Sequence, residues 1–283
     1  MPGNLYNILV EVDFSAKNKW AIAKAIELAN TLKCNIHLVH VIQTFRIPFI
    51  TPDSGLCFGR TSFAQSEYAG KMLKELKDQY QHHLCSGGKI EISVVHGHSK
   101  KALLMYIEKY GMDIVIKGMA RFSLLHRVLS AVSISSLARK TSVPVLAVMS
   151  SGLVSHFKKI VLPLNENVPM RRIRLATELG RYFKSTIYVL SLRKDGNDNH
   201  LPILNETLEI IQSLTTIPVQ SFILEGKNLA KTTLDFSKKI NADLIMITSM
   251  KEYYLPGLWN RITKKLLSYH SKIPVLTVDN SAK

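Results

Sequence analysis

The chain has 283 residues, of which 46% are hydrophobic and 20% are charged, a composition typical of a globular protein and not of a disordered one. No apolar run approaches the roughly 20 residues of a membrane-spanning helix, so we expect no membrane span. Its 3 cysteines lack CxxC spacing, which argues against a disulfide scaffold or a zinc site and favours a reduced, cytoplasmic setting.

The net charge of +16 is shared equally by residues 1–150 and 151–283. A basic surface can attract nucleotides, nucleic acid or anionic membranes. The sequence has no recognition-helix pattern, no RNP motif and no run of five like charges, so we interpret the charge as a solvated surface and do not expect a nucleic-acid site.

The first half alternates predicted strands and helices. Residues 17–33 have apolar side chains at helical spacing, between an apolar strand at 8–12 and a strand rich in β-branched residues at 35–42. This order indicates a parallel crossover. The remaining predicted elements are a helix at 62–84, a strand at 89–95, a helix at 99–110 with Ser99 as its N-cap, and the strand–loop–helix–strand stretch 113–148.

Residues 43–61 interrupt this alternation. They combine prolines and glycines with bulky apolar side chains, which makes the segment too apolar for a free linker. We expect this long loop to fold back onto its own domain or onto a partner.

The second half repeats the first. Residues 243–278 match 113–148 without a gap, and Asp113 aligns with Asp243. Residues 159–240 supply the other matching elements, with Pro169 suited to a first helical turn and Asn228 suited to an N-cap.

The repeat predicts two domains, residues 1–150 and 156–283, joined by a short polar linker. Each has the order of an α/β domain with a five-stranded open parallel sheet and helices on both faces. Ligands in such folds bind beyond the carboxyl ends of the strands, where the strand order reverses. In each copy this is the end of the first strand, beside the loop after the fourth.

The ILVEVDFS start, the DIVIKG type of fourth strand, the loop and helix, and the closing PVLAV run resemble the universal stress protein family, present here as a tandem pair. The resemblance implies a non-enzymatic cytoplasmic stress-response module. It also implies domains that pair through their last strands, either within one chain or in a homodimer, and a protein partner of unknown identity.

ATP-binding members of that family carry a loop of Gly, two residues, Gly, nine residues, Gly, then Ser or Thr after the fourth strand. Glycines let backbone N–H groups approach phosphates, and the helix N-terminus that follows favours their negative charge. In the first copy these positions hold Gly118, Arg121, Ala131 and Val132. In the second copy they hold Thr248, Lys251, Arg261 and Ile262.

The resemblance also implies that an Asp at the end of the first strand contacts adenosine, and Asp13 holds that position while the second copy has Asn165. A remnant pocket for ATP or another adenine nucleotide would then comprise Asp13, Gly118, Arg121 and Ser133 of domain 1. Asp13 is alternatively a cap of the first helix, with Ser15 nearby, and Gly118 is alternatively a plain turn at the strand end.

Other constellations are weaker. Basic side chains beside the two loops could hold phosphate by charge, or form a solvated rim: Lys117, Arg121 and Arg127 in copy one, Lys251 and Arg261 in copy two. No carboxylate or Cys lies at ligand spacing from the histidine pairs, so no metal site is predicted at His82–His83 or at His96 and His98. His37 and His40 are interpreted as packed or hydrogen-bonded strand residues. No catalytic residue is assigned, because the serines near position 133 lack a Gly-x-Ser-x-Gly elbow.

Three hypotheses follow. The first is a tandem universal stress protein that is non-enzymatic and lacks tight ATP binding. The second is ATP or adenine-nucleotide binding, with slow hydrolysis, confined to domain 1. The third is a basic scaffold that binds nucleic acid or anionic surfaces.

Overall fold

The computed structural model describes residues 7–43, 63–119, 134–149, 156–164, 167–193, 200–226, 228–249 and 273–279, together with the backbone of residues 48–51 and 55–58. We refer to residues 7–149 as the first half and to residues 156–279 as the second half.

The first half alternates strands and helices, as the periodicity predicts. Its elements are β1 (Asn7–Glu11), α1 (Asn18–Leu32), β2 (Asn35–Gln43), β3 (Pro48–Thr51), β4 (Gly55–Phe58), α2 (Phe63–Tyr80), β5 (Ile90–Gly97), α3 (Ser99–Tyr110), β6 (Ile114–Met119), α4 (residues 134–141) and β7 (Val145–Met149). A 3₁₀ turn, Gln81–His83, follows α2.

The described residues of the second half follow the same order without a counterpart of β3 and β4, and residues 250–272, between its last two strands, lie outside the described ranges. Its described elements are β8 (Lys159–Pro163), α5 (Met170–Phe183), β9 (Thr186–Arg193), α6 (Leu201–Leu214), β10 (Val219–Glu225), α7 (Leu229–Lys239), β11 (Leu244–Ser249) and β12 (Val275–Asp279).

Ten strands form one sheet in the order β10-β9-β8-β11-β12-β7-β6-β1-β2-β5. Each half contributes five parallel strands, and the halves meet where β12 pairs antiparallel with β7, Leu276 lying opposite Leu146. The last strands therefore pair within the chain. The predicted fold class, two copies of a five-stranded parallel sheet covered by helices, is confirmed.

Helices cover both faces of the sheet. Side chains of α1, α2, α5 and α6 pack with alternate strand residues in one buried layer. Side chains of α3, α4 and α7 pack against the other face. No described helix is long and apolar enough to cross a membrane.

The aligned aspartates Asp113 and Asp243 have the same structural role. Asp113 Oδ2 accepts from the backbone N–H of Asn7 at 2.9 Å, and Asp243 Oδ2 accepts from that of Lys159 at 2.9 Å. Each aspartate also donates its own backbone N–H to the carbonyl of that same residue at 3.0 Å. The repeated Asp thus pins the start of the first strand beside the fourth in each half.

Helix starts agree with the sequence in part. Asn228 is the N-cap of α7, its side chain accepting from Lys231 N, as predicted. The prediction for Ser99 is wrong, because the backbone is still extended at His98, which becomes the N-cap and leaves Ser99 as the first helical residue. Pro169 is likewise the N-cap of α5 and not a first-turn residue.

The apolar segment 43–61 was predicted as a long loop. The structure instead forms a two-stranded antiparallel sheet from β3 and β4, with Phe49 opposite Cys57. The predicted packing of this segment onto its own domain or onto a partner lies outside the described residues.

Candidate functional site

The strand order of the first half reverses between β1 and β6, which are neighbours in the sheet. Their carboxyl ends are Glu11 and Met119. The connection from β1 to α1 crosses this edge, so the residues around Asp13 lie where ligands bind in open parallel sheets.

Asp13 is engaged by its own loop. Its Oδ1 accepts from the backbone N–H and the hydroxyl of Ser15, at 3.1 and 2.6 Å, while Oδ2 lies 2.5 Å from the ammonium of Lys17. Burial raises the pKa of this carboxyl, but the hydrogen bonds from Lys17 and Ser15 together outweigh burial, so the pKa lies below its usual value. Asp13 is therefore ionised at neutral pH and paired with a cation.

Asp13 does not cap α1. The N-cap is Lys17, and no side chain hydrogen-bonds to the helix end. The bonds of Asp13 to Ser15, two residues on, instead form an Asx turn. Asn18 secures the same loop, because its Oδ1 accepts from Asp13 N at 3.0 Å and its Nδ2 donates to Glu11 O at 3.3 Å.

Gly118 lies within β6, opposite Val148 of β7, and not in a turn after the strand. A Cβ at this position would be 2.3 Å from the carbonyl oxygen of Lys17 and 2.9 Å from its carbonyl carbon. Gly118 is thus required for the close approach of the first turn of α1 to the sheet. Its backbone is covered by Lys17, the same residue that pairs with Asp13.

The other two predicted pocket residues, Arg121 and Ser133, lie outside the described residues. The same holds for Arg127 and for the second-copy residues Asn165, Lys251 and Arg261. The structure therefore brings together Asp13 and Gly118, through Lys17, and describes no contact for the rest of the predicted pocket.

A small cavity of about 20 Å³ lies on the opposite face of the sheet from α1, between α3 and α4. Its polar lining consists of one carboxylate, two serines and three lysines: Glu11, Ser99, Ser136, Lys100, Lys117 and Lys140. Lys117 forms an ion pair with Glu11. With three lysines and one glutamate, the cavity wall carries an excess of positive charge.

A larger cleft of about 360 Å³ opens at the carboxyl end of β2, on the other side of Asp13. Phe14, His40 and Tyr68 contribute aromatic surface to it. The rings of Phe14 and His40 are 4.5 Å apart, and His40 Nδ1 donates to Val12 O at 2.7 Å. The predicted hydrogen-bonded role of His40 is thus found, but its position in a cleft was not foreseen.

Phe14 has a backbone φ of 57°, in the left-handed region that non-glycine residues seldom adopt. Backbone strain of this kind is concentrated at functional sites. No feature of the sequence marks this backbone conformation, because the residue is neither Gly nor Asn.

His37 and His96 each lie within hydrogen-bond distance of a hydroxyl group. His37 is buried with Nδ1 3.0 Å from the hydroxyl of Tyr106, and burial lowers its pKa although Glu91 opposes this. His96 contacts the hydroxyl of Ser66 at 3.1 Å. Within the described ranges, no group of three or more His, Cys, Asp or Glu side chains could hold a metal ion.

The fold and this edge define the class: a tandem α/β protein with open parallel sheets and a candidate site at the strand carboxyl ends. The sequence model of the universal stress protein family matches residues 5–149. The chain belongs to the universal stress protein family, which is associated with stress responses. No curated protein matches the chain.

Solved structures share this architecture over nearly the whole chain. A universal stress protein from Archaeoglobus fulgidus DSM 4304 is 18% identical, with 98% of each chain covered and a TM-score of 0.74. A putative universal stress protein from Pseudomonas aeruginosa UCBPP-PA14 is 15% identical, covering 97% of this chain and 93% of that one, with a TM-score of 0.59. The cytoplasmic domain of a prokaryotic cation chloride cotransporter is 11% identical over 98% and 97% of the chains, with a TM-score of 0.53. At these identities the likeness shows the fold alone.

Proposed function

We propose that this chain is a tandem universal stress protein that acts as a non-enzymatic, cytoplasmic stress-response module through protein partners and without tight ATP binding. The two domains are residues 1–150 and 156–283. The proposal rests on two contacts of Lys17: its ammonium pairs with Asp13, and its carbonyl lies against Gly118.

Lys17 thus occupies the space beside Asp13 and Gly118, the two described residues of the predicted nucleotide pocket. A ribose hydroxyl at Asp13 would replace a contact between two opposite charges by a hydrogen bond from an uncharged donor to the carboxylate, and the attraction between Asp13 and the Lys17 ammonium would be lost. A phosphate at Gly118 would have to displace the backbone of α1. The lowered pKa of Asp13 also makes this carboxylate a weak general base, which supports a non-enzymatic role.

A second candidate function, adenine-nucleotide binding confined to domain 1, is favoured by a different observation. The cleft beside Asp13 has aromatic walls and a volume of about 360 Å³, which suits a planar base. The lysines at the small cavity offer positive charge at the same edge of the sheet. This candidate requires Lys17 to exchange Asp13 for the ligand.

Equilibrium dialysis of ATP against the intact protein, the Asp13→Ala variant and the Asp78→Ala variant separates the two candidates. Asp78 is an exposed carboxylate on α2 and serves as the matched control. We expect none of the three proteins to bind ATP with a Kd below about 1 mM. We also expect phosphate to be released from ATP no faster with protein than in buffer alone. Micromolar binding that is lost in Asp13→Ala and retained in Asp78→Ala would favour the second candidate. Salt-dependent binding to random DNA would instead support a basic scaffold.

A further inference from the structure

Arg172 occupies the point in the second half where the strand order reverses. It lies in the first turn of α5, and its Nη1 donates to Pro163 O at 2.8 Å and to Met246 O at 3.0 Å. Pro163 is the last residue of β8, and Met246 lies where β11 leaves β8. The guanidinium therefore fills the crevice in which sheets of this class bind ligands.

The sequence of β8 explains why an arginine is needed there. The first half pairs three residues of β1 with β6, ending at Val10 and Ile116, but β8 and β11 pair two residues, ending at Val161 and Ile245. Pro163 has no backbone N–H and cannot extend this ladder. Arg172 supplies the donor that the carbonyl of Met246 requires.

The guanidinium is sealed from solvent. Arg172 is 2% exposed, and its Nε has no acceptor among the described residues. Burial lowers the pKa of the guanidinium to about 9, so it is still charged at neutral pH. A buried cation of this size takes the volume that a ligand would need.

In the first half, a different side chain bonds to the carbonyl at the end of the first strand. Glu11, the repeat counterpart of Pro163, has its carbonyl bonded by the small amide of Asn18 at 3.3 Å. The two halves thus share a fold but satisfy the end of the first strand with different side chains, a short amide in the first half and a guanidinium in the second.

We propose that Arg172 is a built-in occupant of the crevice between β8 and β11, so that its guanidinium takes the place of a ligand at the strand-order reversal of the second half. The assignment does not depend on whether the first half binds a nucleotide, because it concerns the space that the guanidinium itself fills.

Replacement of Arg172 by alanine tests this directly, since it should leave an enclosed cavity shaped for a guanidinium ion. In about 10 mM methylguanidinium we expect the Tm of Arg172→Ala to rise by roughly 3 °C or more, through binding to the folded state. The same concentration of methylammonium should give no such rise. Arg171→Ala is the matched control, because Arg171 is the partly exposed neighbour that donates to Asp279 O and Ser142 O. The Tm of Arg171→Ala should change equally in methylguanidinium and in methylammonium.

If Arg172→Ala does not fold alone, the soluble yield after refolding with and without methylguanidinium provides the same readout. Rescue by methylguanidinium, in Tm or in yield, supports the built-in occupant. Equal effects of methylguanidinium and methylammonium would overturn it. So would saturable binding of a phosphate compound by the wild type that Arg172→Gln abolishes, since the guanidinium would then be a ligand-binding group. Neither readout uses ATP binding by the first half, so the result is separate from that of the proposed function.

Discussion

Gly118→Ala distinguishes a packing glycine from a phosphate-binding glycine. The added Cβ would lie 2.3 Å from the carbonyl oxygen of Lys17, about 1 Å inside the roughly 3.3 Å at which carbon and oxygen normally meet. The obstacle is backbone at the start of α1, so it cannot rotate away, and the helix must shift. Overpacking of this kind typically costs about 1–3 kcal/mol, and we expect the upper part of that range.

Urea unfolding followed by circular dichroism measures the effect. With an m value of ~2 kcal/mol/M, the midpoint should fall by about 1 M. Gly70→Ala in α2 is the control, because a Cβ there meets nothing within 4 Å. It should stabilise by about 0.5–1 kcal/mol, as expected for Gly to Ala within a helix. A Gly118→Ala midpoint within ~0.3 M of wild type would refute the packing role.

Three further predictions concern charges and thiols. Glu27→Gln should lower the free energy of unfolding in urea by about 3 kcal/mol, because the fully buried ammonium of Lys24 loses the carboxylate 2.5 Å away. The double variant Lys24→Met/Glu27→Leu should be about as stable as the wild type. Equal losses of stability in the two variants would contradict this. Asp13→Asn should cost only about 0.5 kcal/mol at pH 7, since Asp13 is 46% exposed. The folded-state pKa of Asp13 lies below the unfolded value of 3.8, so the stability difference between wild type and Asp13→Asn should vanish as the pH falls through the folded-state pKa. A stability difference that grows in acid would disprove the ion pair. Iodoacetamide at pH 8 should label the exposed Cys85 and leave Cys34 unlabelled, because burial raises the pKa of the Cys34 thiol to about 12. Peptide mass spectrometry that finds Cys34 labelled in the native protein would contradict its burial.

The fold was predictable because its signals repeat. Asp113 and Asp243 start matching strands, and the structure gives both the same hydrogen bonds to the first strand of their half. Apolar periodicity predicts a helix at residues 17–33, and α1 spans Asn18–Leu32. Ser99 was misassigned because helix periodicity does not reveal the extended backbone at His98.

The site was less predictable because its key contacts depend on tertiary packing. The sequence predicts only a helix start at Lys17, yet its ammonium pairs with Asp13 and its carbonyl lies against Gly118. Arg172 resembles a solvated residue near a helix start, and only the orphaned carbonyl of Met246 explains its burial. The left-handed backbone of Phe14 has no sequence signature, since the residue is neither Gly nor Asn.

We propose that the chain fills its own nucleotide positions, through Lys17 in the first half and Arg172 in the second. Calorimetric titration of magnesium ATP into the intact wild-type protein measures whether those positions are free. We expect no saturable heat in the micromolar range. A saturable micromolar isotherm would contradict it, with one site per chain placing the error at Lys17 and two sites placing it at Arg172 as well.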